Sequence, residues 1–124
     1  LRGHTHTVYS GITLLDSATG ETRVQLVESR VVMRQYTDQE IAAYVATGDP
    51  LDKAGSYAIQ YAQFRPVARI SGCYANVMGL PLCHVYCLLR DLNLAPAETP
   101  QRSCDHFNHR RCRVARQILA AHCG

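Results

Sequence analysis

Two long β-forming runs separated by a short polar turn constrain this chain more than any other feature. Thr7-Val8-Tyr9-Ser10-Gly11-Ile12-Thr13-Leu14-Leu15 is dense in β-branched and aromatic residues, and Asp16-Ser17-Ala18-Thr19-Gly20-Glu21 behind it is turn chemistry. From Thr22 to Tyr36, the residues Val24, Leu26, Val31, Val32 and Met33 predict a second, antiparallel strand with one solvated face and a bulge near Glu28-Ser29-Arg30. The first third of the chain therefore reads as a β-hairpin.

Helical signals begin at Thr37-Asp38-Gln39-Glu40, where a hydroxyl stands three residues before a carboxylate, and Ile41, Tyr44 and Val45 follow at helical spacing. Gly48 and Pro50 end that helix. A loop of small residues from Leu51 then feeds a predicted short strand, Tyr57-Ala58-Ile59-Gln60. Pro66 breaks the segment, Val67–Ile70 predicts another strand ending at Ser71-Gly72, and Pro81 suits the first turn of a helix through Leu82, Val85, Leu88 and Leu89. The expected order is ββαββα. Ala95–Gln101 reads as a linker, and Arg113–His122 as a final helix with Val114, Ile118 and Leu119 on one stripe.

At 124 residues, with 47% hydrophobic and 19% charged, the chain has the composition of one globular domain, which argues against disorder and against a multidomain machine. No apolar run approaches the ~20 residues of a membrane-spanning helix, so no membrane partner is expected. The opening Leu1-Arg2-Gly3-His4 has neither a Met nor an apolar signal core, and reads as part of a longer chain. Formal charge is +3, but residues 101–124 alone hold five Arg against Asp105. All six cysteines (Cys73, Cys83, Cys87, Cys104, Cys112, Cys123) crowd behind residue 72, a distribution that favours reduced thiols in a cytosol.

Few residues stand out as chemistry. Lys53 is the only lysine beside twelve arginines, so its compact ammonium invites a phosphate, with a solvated surface lysine as the alternative. Gly55 beside it allows close backbone approach, as phosphate-binding loops require. Gln60 ends an apolar stretch with an amide that both donates and accepts, matching the edge of a nucleobase or, equally, an exposed strand position. The cluster Cys104, His106, His109 and Cys112 has zinc-type ligands without a familiar zinc spacing, so it reads as a weak metal candidate or as a polar, Arg-rich appendage. Arg110, Arg111, Arg113 and Arg116 have only Phe107 to stack on bases, and nucleic acid is not expected as a partner. Cys83 and Cys87 fall on one helical face and read as buried structural thiols, while His4 and His6 share one side of a strand without a third ligand.

Two long strings carry a resemblance. Thr37-Asp38-x-Glu40-Ile41-x2-Tyr44-Val45-x-Thr47-Gly48-Asp49-Pro50-Leu51-Asp52-Lys53-Ala54-Gly55-Ser56-Tyr57-x-Ile59-Gln60, followed by Ile70-x-Gly72-Cys73-Tyr74-x-Asn76-Val77-Met78-Gly79-Leu80-Pro81-Leu82, resembles the Maf family of nucleoside triphosphate pyrophosphatases. The opening Leu1-x-Gly3-x-Thr5-His6-x-Val8-Tyr9-Ser10-Gly11 looks like that family's mid-chain segment, so the resemblance covers residues 1–92 and leaves 93–124 as a linker and Cys/His/Arg-rich tail. It implies a Maf/ITPase-like α/β fold, an elongated twisted mixed β-sheet flanked by helices, here lacking its N-terminal part. It also implies a cytoplasmic enzyme that uses Mg²⁺ or Mn²⁺ to hydrolyse dTTP, UTP or modified nucleotides to the monophosphate and pyrophosphate. By position in the motif, Lys53 faces the phosphates and Gln60 reads the base. The family's general base lies in a portion absent from these residues, so association with that portion, or a homodimer, is expected. The rival expectation is a non-catalytic Maf-like interaction module whose tail binds metal, nucleic acid or protein.

Overall fold

A computed structural model describes residues 1–124 throughout. Strand β1 (Thr5–Leu15) and strand β2 (Thr22–Met33) form the expected hairpin, in continuous register from Thr5 opposite Val32 to Leu15 opposite Thr22. The turn closes as its residues dictate: the Asp16 side chain accepts from the Ala18 N–H at 2.9 Å, and Gly20 takes φ +73°, a conformation costly for any other residue. Strand β3 (Val67–Ser71) pairs antiparallel with β2, giving the order β1-β2-β3.

Helix α1 (Asp38–Ala46) starts on the predicted capping box: Thr37 Oγ1 accepts from the Glu40 N–H, and the Glu40 carboxylate accepts from the Thr37 N–H at 2.7 Å. Arg34 donates to the other oxygen of that carboxylate at 2.8 Å. These contacts, the Arg34 bond foremost, hold the Glu40 carboxyl down at about 2, against an ordinary 4.5. A depressed carboxyl stabilises the fold at pH above its ordinary value and loses that contribution as pH falls through the folded value. Glu40→Gln is therefore expected to flatten the acid limb of the stability curve between those two pH values, read as thermal midpoint against pH; an unchanged limb would rule the contact out as its source.

Along β2 the side chains of Val27, Ser29, Val31 and Met33 point inward while Val24, Leu26, Glu28 and Arg30 point outward. Of these, Val31 and Met33 join Tyr36, Tyr44, Tyr57 and Phe64 in the main core, where the Tyr44 and Phe64 rings stack with centroids 4.5 Å apart. Outward, Tyr9, Leu15, Val24 and Leu26 share one exposed face, and the far edge of β1 has no partner strand. With 22 of 124 residues buried, the core covers one side of the sheet and leaves the other open.

Behind β3 come a short helix α2 (Tyr74–Met78), then α3 (Leu82–Asp91), α4 (Gln101–Phe107) and α5 (Ala115–His122). Asn76 of α2, 1% exposed, ties the layers together: its amide donates to the Ser29 hydroxyl at 3.1 Å and to the Val8 carbonyl at 3.3 Å, and Ser29 in turn donates to the Cys73 carbonyl at 3.0 Å. Gly72 makes room for this network, since at φ +115° a Cβ there would lie 3.0 Å from Ser29 Oγ.

Several expectations change. The sheet is wholly antiparallel over these residues, not mixed. Tyr57–Gln60 forms no strand, because Gly55 (φ +70°) and Ser56 (φ +58°) turn the backbone ahead of it and the Ala58 N–H is taken by the Tyr44 hydroxyl instead of a ladder. The irregularity sits instead at Val32/Met33 in the β2–β3 pairing, where Arg69 opposes Val32 and Val67 opposes Met33, leaving Ala68 as the extra residue. Cys87 is not a free thiol: it is joined to Cys123 by a disulfide, which locks α3 to the end of α5 and removes two of the six cysteines from the reduced set. Gln101, placed in the linker by composition, opens α4.

Candidate nucleotide site

Two successive 3-10 turns, Asp49–Asp52 and Ala54–Ser56, carry the loop between α1 and the core segment at Tyr57. Gly48 at φ +77° releases the chain from α1, and Pro50 blocks helical continuation. Lys53 stands between the two turns, half-buried. Its Nζ lies 2.6 Å from Asp52 Oδ1, 3.6 Å from Asp49 Oδ1 and 3.5 Å from the Asp49 carbonyl. The Asp52 hydrogen bond raises the Lys53 ammonium above its ordinary value and lowers the Asp52 carboxyl in return. The ammonium is thereby held in its charged form between two carboxylates.

The loop is braced from behind by three side chains that no sequence motif singles out for this role. Tyr44 donates its hydroxyl to Asp49 Oδ2 and accepts the Ala58 N–H at 3.1 Å, so one phenol ties both ends of the loop. Burial, then the Asp49 bond, pushes that phenol up to about 12, so it remains a donor across the working pH range. The ring of Tyr57 packs where a Cβ on Gly55 would lie 3.4 Å away, and its hydroxyl meets His6 Nε2 at 2.9 Å. His6, one of the pair singled out on β1, therefore supports the loop through Tyr57, with burial lowering its pKa; His4 lies before the strand, its Nδ1 2.7 Å from the Arg2 carbonyl.

Gln60 lies in a different depression, a cleft of about 480 Å³. Its walls include Tyr61, Arg65, Tyr74 and Met78 from the body and Phe107, Asn108 and His109 from the end of α4. Lys53 does not line this cleft, so the structure brings Lys53 and Gly55 together but keeps Gln60 apart from them. The tail, expected to stand outside the resemblance, supplies one wall of the Gln60 cleft. No spacing argument connects Gln60 to Phe107, and only the folded chain reveals that neighbourhood.

The set Cys104, His106, His109 and Cys112 does not assemble. Cys104 is buried against the body, whereas His106, two residues on along α4, points away from it and His109, beyond the end of α4, is also exposed. No group of three His, Cys, Asp or Glu side chains stands in an arrangement that holds a metal ion as the side chains lie.

A profile of the Maf family, described as Maf-like protein, matches residues 1–92. The chain belongs to the Maf family. Curated relatives agree: a protein of Dehalococcoides mccartyi named dTTP/UTP pyrophosphatase is 44% identical over 96 residues, which are 77% of this chain and 43% of that protein. A dTTP/UTP pyrophosphatase of Dictyoglomus thermophilum is 44% identical over 92 residues, 74% of this chain and 48% of the relative. One of Alkaliphilus metalliredigens is 47% identical over 83 residues, covering 67% and 43%. The Maf-like chain thus spans less than half the length of these relatives. The hairpin, α1 and the Lys53 loop all fall within the matched residues, and α4 and α5 lie beyond them.

Proposed function

We propose that this chain is the substrate-gripping half of a Maf-type nucleoside triphosphate pyrophosphatase that hydrolyses dTTP, UTP or related modified nucleotides to the monophosphate and pyrophosphate. The observation that carries the reading is the Lys53 loop: a charged, braced ammonium beside two residues in left-handed conformation, Gly55 and Ser56, within a segment shared with relatives named for this reaction. Lys53 neutralises the departing phosphates, and Gln60, at a distance, reads the base edge with its paired donor and acceptor. A cytoplasmic location is part of the proposal, on the ground that the substrates proposed are nucleoside triphosphates.

Mg²⁺ or Mn²⁺ is the proposed cofactor, supplying charge neutralisation on the triphosphate when bound. The carboxylates present here do not fit it unaided: Asp49 and Asp52 face the Lys53 ammonium, and no third acidic side chain joins them. The activating base is assigned, on this reading, to the part of the domain that the relatives have and these residues lack. The open outer face of the hairpin, with Tyr9, Val24 and Leu26, is the proposed seat for that part or for a second copy.

Pyrophosphate release from dTTP and UTP tests this directly. The longer protein carrying this chain is expected to turn over, and residues 1–124 alone to be slower by about 10³ or more, since one general base is worth 10²–10⁴ and the metal ligands go with it. Robust release by residues 1–124 that survives Asp49→Ala and Asp52→Ala would place the base elsewhere within these residues and overturn the division of labour.

A further inference from the structure

The Gln60 cleft, at about 480 Å³, is of a size that takes a small organic ligand, and one of its walls lies outside the Maf-matched residues. That wall is built, not draped. Buried Cys104 packs with Cys73 and Ala75, which seats α4 against α2. Past Phe107 the chain closes on itself: the Arg110 N–H donates to the Asp105 carbonyl at 3.2 Å and the His109 N–H to the His106 carbonyl at 3.3 Å, with His109 at φ +49°. This is the bond pattern of a Schellman cap, whose left-handed position is normally glycine. The Cys112 N–H then donates to Asp105 Oδ1 at 2.6 Å, and the Arg110 guanidinium lies 4.5 Å from the centroid of the Tyr74 ring. The turn is thus tied both to its own helix and to the body.

Two features of the cleft serve no packing purpose. Of the two phenylalanines in the chain, Phe64 belongs to the main core, whereas Phe107 lines the cleft and is 72% exposed. Of the four residues other than glycine in left-handed conformation, Arg65 at φ +46° stands on the body wall and His109 on the tail wall. Such conformations are costly for a residue with a Cβ, and they gather at ligand sites. Gln60 and Asn108, one from each wall, bring carboxamides that both donate and accept. The imide edge of uracil or thymine sets a carbonyl oxygen beside an N–H, and a carboxamide answers both, its NH2 donating to the oxygen and its own oxygen accepting from the N–H.

We propose that the tail completes the base pocket: the uracil or thymine ring of the nucleotide lies in this cleft, stacked on Phe107, with its imide edge on Gln60. Phe107 is then a specificity-determining residue supplied from outside the Maf-matched segment. The identity of the ligand rests on the pyrophosphatase reading; the cleft and its aromatic wall do not. One exposed ring suits one base, whereas a nucleic-acid strand is gripped by a succession of them. Lys53 does not line the cleft, so base and phosphates are held by separate parts of the chain. Contacts to the base made equally in the ground and transition states lower KM without changing kcat, and that is the contribution assigned to Phe107.

The test uses the longer protein that carries this chain and reads binding before turnover. Two probes are titrated by calorimetry: α,β-imido-UTP, whose bridge resists hydrolysis, and inorganic tripolyphosphate, which has no base. Phe107→Ala should weaken α,β-imido-UTP by about 5- to 100-fold, the range for losing one stacking ring, and leave tripolyphosphate unchanged. Phe107→Tyr, which keeps the ring, should bind like the wild type, and Phe107→Leu, which keeps only apolar bulk, should not. Where a variant fails to fold, nuclear Overhauser contacts between the uracil protons and the Phe107 ring in the wild-type protein decide. Unchanged analogue affinity in Phe107→Ala, equal losses for both probes, rescue by leucine, absent Overhauser contacts, or no binding of the analogue to the wild type would each overturn the pocket. Pyrophosphate release from UTP by the same samples reports on the reaction separately. Release with an affinity indifferent to Phe107 removes the pocket alone, and an affinity that depends on Phe107 without release removes the reaction alone.

Discussion

Lys53→Ala in the longer protein that carries this chain should lower kcat/KM for dTTP by about 10²–10³, the range seen when one preorganised donor to developing charge is removed. Lys53 Nζ sits 2.6 Å from Asp52 Oδ1 and within 3.6 Å of Asp49 Oδ1, so its positive charge is already positioned, and on the proposed function phosphates would displace carboxylates of which Asp52 is well solvated. Lys53→Arg should not restore the rate. A guanidinium is longer and planar, so it cannot take the compact position that Nζ holds between Asp49 and Asp52. Because Lys53 is partly exposed and its ion pairs are surface ones, the thermal midpoint should stay where it is while activity falls. An unchanged kcat/KM, or a fall matched by a lower midpoint, would reduce Lys53 to an ordinary surface lysine.

The second large effect concerns the disulfide between Cys87 and Cys123, which closes a separation of 36 residues. On the chain-entropy account a loop of that size is worth about 4 kcal/mol, as a reduction in the freedom of the unfolded chain. Denaturation of the oxidised protein should therefore show a midpoint well above that of Cys123→Ser, and mild reductant should bring the two together. Alkylation in denaturant, before reduction, should modify Cys73, Cys83, Cys104 and Cys112 and spare the other two. Six alkylated cysteines in freshly isolated protein, with coincident midpoints, would mean the bond is not part of the native molecule.

What the sequence disclosed was local. The hairpin was legible because its register follows from a turn and an alternation within thirty residues, and α1 because Thr37 and Glu40 cap it reciprocally. Lys53 stood out by being the one lysine in the chain. The features that escaped were those fixed by distant partners. Tyr57–Gln60 has strand-forming residues, yet Tyr44, far back on α1, captures the Ala58 N–H and decides otherwise. Helix α4 has only Cys104 buried and shows no apolar stripe to find. The pairing of Cys87 with Cys123 is one of fifteen ways to match six cysteines, and nothing in spacing selects it. For the same reason the tail histidines looked like ligands in sequence, while the fold turns them to solvent and turns the Cys104 sulfur inward.

The covalent link between α3 and the end of α5 also determines how the molecule carries force. A pull applied at Gly124 reaches Cys123 and passes through the sulfur bridge into Cys87, bypassing every residue between them. Helices α4 and α5 are shielded from that load, and the first noncovalent structure to feel it is α3 against the sheet. A fused domain, a tether or an unfoldase acting from the C-terminal side would therefore meet the resistance of the body at once, and reduction of one bond would let the same pull peel α5 away first.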